Sequence, residues 1–351
     1  MTDARIAVFG AAGHTGKFVV SEIERRGFRP IRIGRDRRTL AAADAPHRES
    51  ARVAQVDDPA SLDAALSGAD AVINCAGPFL DTAIPIADAA IRAGIPYLDV
   101  AAEQAAVQSL FHTRSDVAEE SKVLILPSAA FYGGLADLLA TAAAGSARPI
   151  EAIDIAVGLD SWHPTQGTRL TGQRNTAPRL VQRQGRLQTF PAPAPAGRWN
   201  YPDPIGPRDV LMLPFSETIT LASHLNAETI ESWINVEAIR DIRDPGTPPP
   251  RPADESGRSS QHFVLDVTVV VGGVRRRATA RGRDIYHVSA SIIVEAAQRV
   301  LAKQAGGSTG VRSLGDVFDA RSFLAALEPE AMRISYEDDS SALLERELAS
   351  V

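Results

Sequence analysis

The stretch AVFGAAGHTGKFVV, residues 7–20, decides the fold of this chain because it places Gly10, Gly13 and Gly16 between a short apolar run and an amphipathic run. Glycines at such positions allow a tight turn after a strand, close approach of backbone N–H groups to a diphosphate, and close packing of the next helix on the sheet. The helix N-terminus adds partial positive charge. The residues that we expect to contact a dinucleotide here are Gly10, Ala12, Gly13, His14, Thr15 and Gly16.

The spacing is GxxGxxG, and its position within a repeated strand and helix pattern supports the prediction better than the glycines alone. From Arg5 to about Gly145, six strand-like runs alternate with longer runs that have apolar residues at helical spacing. The strand-like runs are RIAVFG, PIRIGR, RVAQVD, DAVINCAG, PYLDVA and VLILPS. Such alternation specifies right-handed βαβ units, so we predict an α/β protein with a Rossmann doubly wound parallel sheet over residues 1–148.

The pattern changes near Pro149, where long strand-like runs and turn signals at Gln184-Gly185 and Gly272-Gly273 predict a largely antiparallel sheet. We expect an α+β substrate or dimerisation domain over residues 149–288. The strand-like runs are IEAIDIAVGL, RLVQRQGRLQTF, DVLMLPFSETITLASHL, ESWINVEAI and HFVLDVTVVVGGVRRRATARGR. Two proline-rich stretches interrupt them: 190–209, expected to be an ordered loop or partner arm, and 243–260, expected to be flexible. Residues 289–351 are expected to form helices that return to the Rossmann domain.

Composition favours a small-molecule partner. The chain has 351 residues and a formal net charge of -6, which argues against nucleic-acid or membrane-surface binding through bulk positive charge. Its single cysteine, Cys75, and the absence of a signal-peptide core predict a cytoplasmic protein. The seven histidines lack the spacing of metal ligands, so we expect no metal site.

The end of the second strand bears on the choice of nucleotide. An acidic residue there usually binds the ribose of NAD, whereas an arginine accommodates the 2′-phosphate of NADP. This chain has Arg35 at the tip and Arg38 in the next helix, which favours NADP(H) over NAD. Asp36 could instead pair with Arg35 or face the ribose. Asp57 and Asp58 lie where an adenine ring is expected, although helix capping explains them equally well.

The fourth strand ends beside the glycine turn, where the nicotinamide ribose of a dinucleotide is expected. The candidate contacts are Asn74, Cys75, Ala76, Gly77 and Pro78. Cys75 could also be a nucleophile, but no nearby histidine supports that role and buried free cysteines are common.

The motifs GAAGHTG, IGRDRRTL, NCAGPF and YLDVAAEQ, in this order, resemble the saccharopine dehydrogenase family of oxidoreductases, which includes trans-acting enoyl reductases. The tail segments GRDIYHVSASIIVEAAQRVLA and GVRSLGDVFDARSFLAAL resemble the closing segment of the same family. The resemblance implies NADP-dependent hydride transfer, often to an imine. One departure is Ala101-Ala102-Glu103, where family members often carry Ser-Gly-Glu.

The candidate proton donors are Tyr132, which follows the sixth strand, and His163, in the polar stretch 158–175. Arg169 in the same stretch is expected to position an acidic substrate group. Packing at a domain interface could explain Tyr132, and an exposed structural loop could explain His163 and Arg169. Asp99, Glu103, His224, Tyr286 and His287 are secondary candidates. No tyrosine is followed by lysine four residues later, which excludes the mechanism of short-chain dehydrogenases.

These observations predict an NADP(H)-dependent oxidoreductase that transfers hydride to a C=N bond, or to a polarised C=C or C=O bond, of a small metabolite. Two alternatives remain at this point. One is a non-catalytic NADP-binding sensor or scaffold. The other is an enzyme like homospermidine synthase that recycles a bound nucleotide. A homodimer built through the second domain is possible.

Overall fold

The structure, a computed structural model, describes residues 3–43 and 51–338. Its first sheet has seven parallel strands in the order β15-β6-β5-β4-β1-β2-β3. The strands of this sheet are β1 (Arg5–Phe9), β2 (Arg29–Gly34), β3 (Ala51–Val53), β4 (Ala71–Asn74), β5 (Tyr97–Asp99), β6 (Leu124–Leu126) and β15 (Gly310–Val311). The six predicted strands are therefore confirmed, and the order changes direction beside β1, at the glycine turn. The seventh strand comes from the tail and was not predicted.

Helices connect these strands and cover both faces of the sheet with apolar side chains. They are α1 (His14–Arg25), α2 (Arg37–Ala43), α3 (Pro59–Leu66), α4 (Phe79–Ala93), α5 (Gln104–Glu120) and α6 (Ala136–Ala144). A π-helical turn, Phe131–Leu135, precedes α6. Because parallel strands are buried on both faces, β1 and β4 are almost wholly apolar. The predicted α/β class with a Rossmann sheet is confirmed.

The second sheet has nine strands, seven of them in the order β10-β11-β12-β7-β13-β14-β16, with the hairpin β8–β9 attached to β12. The strands are β7 (Ile150–Leu159), β8 (Leu180–Arg183), β9 (Arg186–Thr189), β10 (Ala196–Asn200), β11 (Pro207–Met212), β12 (Ala227–Asn235), β13 (His262–Val271), β14 (Val274–Arg283) and β16 (Met332–Asp338). Only the β12–β7 pair is parallel within this described sheet. A largely antiparallel second sheet was predicted and is observed.

Several boundaries differ from the predictions. The stretch predicted as one strand over 209–225 is a strand only to Met212, followed by helix α8 (Glu217–Ala222). The next predicted strand ends at Asn235, where α9 (Val236–Arg243) begins. The stretch 190–209 contains the edge strand β10 and is not simply a loop. The polar stretch 158–175, read as a loop, contains helix α7 (Gln166–Arg174).

The tail contributes to both sheets. Helix α10 (Ile285–Leu301) packs along α1, and Arg26, the residue that follows α1, forms ion pairs with Glu22 of α1 and with Glu295 of α10. After β15 come two short helices, α11 (Leu314–Val317) and α12 (Ala320–Ala325), and then β16, which pairs with β14. The tail therefore returns to the first sheet, as predicted, and it also adds strand β16 to the second sheet. Among the described residues, no helix has the length and apolar character needed to cross a bilayer.

Candidate active site

The glycine turn connects β1 to α1 and is fastened to β2 by the backbone. The N–H groups of Gly10 and Ala11 both donate to the carbonyl of Ile33, at 2.8 and 3.2 Å. Gly10 has φ +81°, a conformation that favours glycine. A Cβ on Gly16 would lie 2.2 Å from the Gly10 oxygen, so only glycine lets α1 begin this close to the strand.

The N-terminus of α1 suits an anionic group. Gly13 is the N-cap residue, no side chain of the described residues caps the helix, and the first turn contains no acidic residue. The first N–H groups of a helix have no acceptor within it, and they carry partial positive charge. A cradle of glycine backbone beneath an uncapped helix end fits the diphosphate of a dinucleotide. Ala12, Gly13, His14 and Thr15 of this turn also line the cavity described below.

The tip of β2 presents the predicted basic residues to solvent. Arg35 and Arg38 are exposed, one at the end of the strand and the other in the first turn of α2. Asp36 accepts hydrogen bonds from the Arg38 N–H and the Thr39 hydroxyl, at 2.8 and 3.0 Å. These hydrogen bonds lower the pKa of Asp36. The Asp36 carboxylate thus caps α2. Because this carboxylate is engaged with the helix, the geometry favours the prediction that Arg35 is available to a 2′-phosphate.

The two acidic residues after β3 have different surroundings. The Asp58 carboxylate accepts hydrogen bonds from the N–H groups of Ala60 and Ser61 at the start of α3, so it is a helix cap. Asp57 is exposed at the same edge of the sheet. Asp57 and Asp58 were expected either to contact an adenine ring or to cap a helix. The hydrogen bonds show helix capping for Asp58.

At the end of β4, Asn74 holds the turn that follows. Its buried amide donates to Thr82 and Tyr97 and accepts from the Ala76 N–H at 2.9 Å. The Asn74 side chain therefore shapes this turn from inside the protein, while Cys75 and Gly77 line the cavity. Burial strongly raises the pKa of the Cys75 thiol, which keeps it protonated and disfavours a nucleophilic role. Pro78 follows Gly77 through a cis peptide bond.

Two acidic residues after β5 organise the neighbouring loops. The Asp99 carboxylate accepts from the N–H groups of Ala101 and Ser128 and from the Tyr97 hydroxyl. Burial raises the pKa of Asp99 to about 6 despite these hydrogen bonds. Glu103 is buried and accepts from the Phe79 N–H at 2.9 Å, which ties the start of α4 to the start of α5.

A cavity of about 440 Å³ lies between the glycine turn, the carboxyl ends of β4 and β5, the π-helical turn and α7. Most of its wall is aromatic or aliphatic. The large apolar and aromatic lining residues are Phe79, Val100, Phe131, Tyr132, Trp162, Phe215, Ile242, Ile285 and Tyr286. Ligands of open α/β sheets bind at this edge, where the strand order reverses, so the cavity is the candidate site for a nicotinamide ring and a substrate.

Tyr132 enters this cavity from the π-helical turn. Gly133 permits the turn, because a Cβ there would lie 2.1 Å from the Ser128 Oγ. The Tyr132 ring packs on Phe215 with centroids 4.4 Å apart. Its hydroxyl is buried and has no hydrogen-bond partner among the described residues. Burial raises the pKa of Tyr132, so the hydroxyl carries its proton at neutral pH.

Helix α7 covers the cavity and is capped by Thr165, whose hydroxyl accepts from the Thr168 N–H at 3.0 Å. The Tyr286 hydroxyl contacts Thr168 at 3.1 Å and so links α7 to α10. His163, a candidate proton donor, does not line the cavity; its Nδ1 lies 3.2 Å from the Pro248 carbonyl. The position of His163 therefore favours the structural alternative.

The guanidinium of Arg169 donates to the carbonyls of Asp244 and Thr247, at 3.1 and 2.7 Å, and so fastens α7 to the stretch 243–260. Arg169 lines a second cavity, of about 470 Å³, that adjoins the first. Arg179 lines both cavities, although no local sequence pattern predicted it as a site residue.

His14, a predicted cofactor contact, and the secondary candidate His287 flank Phe18, with ring centroids 5.2 and 5.4 Å from it. Burial lowers the pKa of both histidines, which favours their neutral forms. His224 lies away from the cavity, in contact with Asp137. Among the described residues, no group of three or more His, Cys, Asp or Glu side chains could hold a metal ion.

Comparisons with known proteins agree with this geometry. Residues 6–126 match the family model of the saccharopine dehydrogenase NADP-binding domain. Apo saccharopine dehydrogenase (L-Glu forming) from Saccharomyces cerevisiae superposes with a TM-score of 0.64 at 12% identity, covering 95% of this chain and 100% of that one. A mutant of meso-dapdh with DAP, from Clostridium tetani, gives a TM-score of 0.50 at 13% identity, covering 93% of this chain and 98% of the other. A search of curated proteins finds no significant match.

At these identities the solved structures show the fold, while the family model bears on the nucleotide. The predicted resemblance is confirmed, and so are the predictions of NADP as the nucleotide and of an NAD(P)-dependent oxidoreductase type. Residues 6–126 are therefore similar to the saccharopine dehydrogenase NADP-binding domain, and the chain as a whole has the fold of saccharopine dehydrogenase.

Proposed function

We propose that this protein is an NADPH-dependent reductase that acts on a C=N bond, or on a polarised C=C or C=O bond, of a small molecule held beside Tyr132. The observation that carries the proposal is one cavity of about 440 Å³ lined by both the glycine turn and Tyr132. The family supplies the nucleotide type, and the cavity supplies the place where a substrate would meet it.

The residues proposed to hold the nucleotide are those of three strand ends. The N-terminus of α1 binds the diphosphate, Arg35 and Arg38 bind the 2′-phosphate, and the turn after β4 contacts the nicotinamide ribose. Bound NADPH supplies the hydride, so the protein must orient the acceptor and provide a proton.

Tyr132 is the proposed proton donor. Its buried hydroxyl has no hydrogen-bond partner in the part of the chain that the structure describes, and a substrate heteroatom in the cavity would accept a hydrogen bond from it. The aromatic wall formed by Phe215 and Trp162 excludes water and places a flat acceptor beside Tyr132. His163 and Arg169, also proposed from the sequence, would have to act from outside this cavity.

The experiment that tests the proposal follows the transfer of deuterium from labelled NADPH to a product. Protein is incubated with a small-molecule cell extract and with NADPH labelled at the 4R or the 4S hydrogen, in separate reactions. Mass spectrometry should find one product carrying deuterium from only one of the two forms. Tyr132→Phe is the control, and it should transfer far less label while binding NADPH normally.

Two results would overturn the proposal in favour of the alternatives. Saturable NADPH binding with no deuterium in any product indicates a sensor or scaffold. Loss of label from one face of the nucleotide without net NADPH oxidation indicates an enzyme that recycles its bound nucleotide. A homodimer and a cytoplasmic location stay predictions.

A further inference from the structure

Arg179 is a partly buried cation at the junction of the two cavities. One guanidinium nitrogen donates to the Pro214 carbonyl at 2.6 Å, and the guanidinium carbon lies 5.1 Å from the centroid of the Phe215 ring. Phe215 in turn packs on Tyr132. Arg179 is therefore one aromatic ring away from the proposed proton donor.

No carboxylate of the described residues forms an ion pair with Arg179. The buried side chains of Glu217 and Glu103 attract it from beyond ion-pair distance, and burial raises the pKa of both carboxyl groups. Burial also lowers the pKa of Arg179. A charge withdrawn from water without an ionic partner is costly, so a bound anion would stabilise this arrangement.

The inner cavity offers few other charged side chains to a ligand. Among the described residues that line it, Arg179 is the one side chain with a permanent positive charge, since burial favours neutral His14. Its other charged lining residue, Glu103, already accepts two backbone N–H groups. A substrate with several charges, such as an amino dicarboxylate, would leave most of its charges without partners against this wall.

The two cavities adjoin along a shared wall. The residues that line both are Trp162, Thr168, Gly172, Arg179, Phe215 and Ile242. A ligand can therefore occupy the inner cavity with its apolar part and still reach Arg179 at the junction. One guanidinium nitrogen of Arg179 bonds the Pro214 carbonyl, and a guanidinium has further N–H donors that can bind a carboxylate or phosphate.

We infer that the substrate is an apolar, flat molecule with a single anionic group, carboxylate or phosphate, and that Arg179 binds this group while the reducible bond lies beside Tyr132. This inference rests on the proposed function and adds the class of substrate to it. Arg179 determines specificity here, whereas Arg169 holds α7 in place.

The test measures binding without turnover. Protein saturated with NADP+ is titrated by calorimetry with cinnamate, with neutral cinnamamide, and with adipate, which has two charges and no ring. Cinnamate should bind wild type at least about tenfold more tightly than cinnamamide, because a charge-assisted hydrogen bond is stronger than a neutral one. It should also bind at least about tenfold more tightly than adipate, because adipate has no ring for the apolar wall and its second charge would have no partner. Cinnamate and hydrocinnamyl phosphate, titrated in parallel, distinguish carboxylate from phosphate as the preferred anion.

Substitutions assign the preference to Arg179. Arg179→Met should abolish the difference between cinnamate and cinnamamide, and Arg179→Lys should keep part of it. The matched control is Arg186→Met, which makes the same change in charge on the exposed strand β9 and should leave the preference intact. Thermal melting and the NADP+ dissociation constant verify that each variant is folded.

The outcomes separate the inference from the proposed function. Failure of NADP+ to bind wild type overturns both. Normal NADP+ binding with equal affinities for cinnamate and cinnamamide, or with tighter binding of adipate, overturns the inference alone. If folded Arg179→Met still binds cinnamate more tightly than cinnamamide, the inference alone is overturned as well.

Discussion

Arg35 stands at the tip of β2, where its exposed guanidinium is proposed to bind the 2′-phosphate that distinguishes NADPH from NADH. Arg35→Ala is expected to weaken NADPH binding about 10- to 100-fold and NADH binding less than about threefold, since only the phosphate loses a charge-assisted contact. Fluorescence titration with each nucleotide measures both constants.

A matched control for Arg35 lies on the same strand. Arg29 begins β2 at the opposite edge of the sheet and is exposed, so Arg29→Ala should leave both nucleotide affinities unchanged. Equal losses for NADPH and NADH in Arg35→Ala would contradict the assignment to the 2′-phosphate.

Tyr132→Phe separates chemistry from folding. Its hydroxyl has no partner among the described residues, so its removal should leave the melting temperature unchanged or raise it slightly. The rate of deuterium transfer should fall about 10²- to 10⁴-fold, the usual contribution of a positioned general acid. A variant that melts normally and transfers hydride at the wild-type rate would exclude Tyr132 as the proton donor.

Single residues were predictable where their function follows from the local chain. The glycines of the turn and Arg35 could be proposed because a strand, a turn and a helix follow one another within 30 residues. Arg179 could not, because its contacts with Pro214 and Phe215 come from a segment 35 residues away, beyond the four strands β8 to β11. His163 and Arg169 were proposed from composition, and the contacts of their side chains depend on the distant stretch 243–260.

The contact between α7 and the turn after β4 gives a prediction about packing. A Cβ on Gly77 would lie 2.7 Å from the Thr171 Oγ1. Gly77→Ala should therefore lower the free energy of unfolding by about 1–3 kcal/mol. The double variant Gly77→Ala/Thr171→Ala should recover most of this loss, because the hydroxyl that clashes is gone.

A double-mutant cycle by urea denaturation measures this coupling. The control is Gly77→Ala/Thr171→Val, which keeps a methyl group in place of the hydroxyl and should not recover stability. If the losses in free energy of unfolding from Gly77→Ala and Thr171→Ala simply add in the double variant, Gly77 and Thr171 are not in contact.

The errors at the scale of elements have identifiable causes. Thr218, Ile219 and Thr220 favour a strand by propensity, but this segment is helix α8, whose residues Glu217–Leu221 are all buried. Tertiary packing overrode the local preference there. Helix α7 was hidden because Gly167 and Gly172 resemble loop residues, although Thr165 is a normal N-cap.

Across the whole molecule, Asp137 joins three distant parts of the chain. It lies in α6, accepts from the Gly315 N–H of the tail at 2.8 Å, and contacts the His224 Nε2 at 2.6 Å. Burial opposes the charged form of His224, but the attraction and hydrogen bond of Asp137 prevail and raise the pKa of His224. Asp316 adds to this attraction and Arg148 opposes it.

This raised pKa predicts a dependence of stability on pH. A histidine whose pKa is higher in the folded protein contributes its full stabilisation below about pH 6.5, the ordinary value, and loses it as the pH rises through the folded pKa. Wild-type protein should therefore lose free energy of unfolding above pH 6.5, whereas His224→Gln should lose less over the same range.

Urea denaturation at intervals from pH 6 to 9 makes this comparison. His112 provides the control, since it is exposed on α5 and His112→Gln should reproduce the wild-type pH dependence. If the free energy of unfolding depends on pH in the same way for wild type and His224→Gln, the His224–Asp137 pair is not the source of the pH dependence.

The whole-molecule architecture was predictable in outline and not in its connections. The two sheets followed from the switch between helical and alternating patterns at Pro149. The sequence did not indicate that Gly310–Val311 would complete the first sheet while 332–338 join the second, because such short strands owe their pairing to neighbours far along the chain.

The placement of β15 has a consequence for how the protein is made. The other strands of its sheet leave the ribosome by residue 126, but the N–H groups of Gly310 and Arg312 reach the carbonyls of Val123 and Ile125 only after nearly two hundred further residues are translated. On the nascent chain, the edge of β6 that pairs with β15 therefore stays without this partner until the late segment is translated.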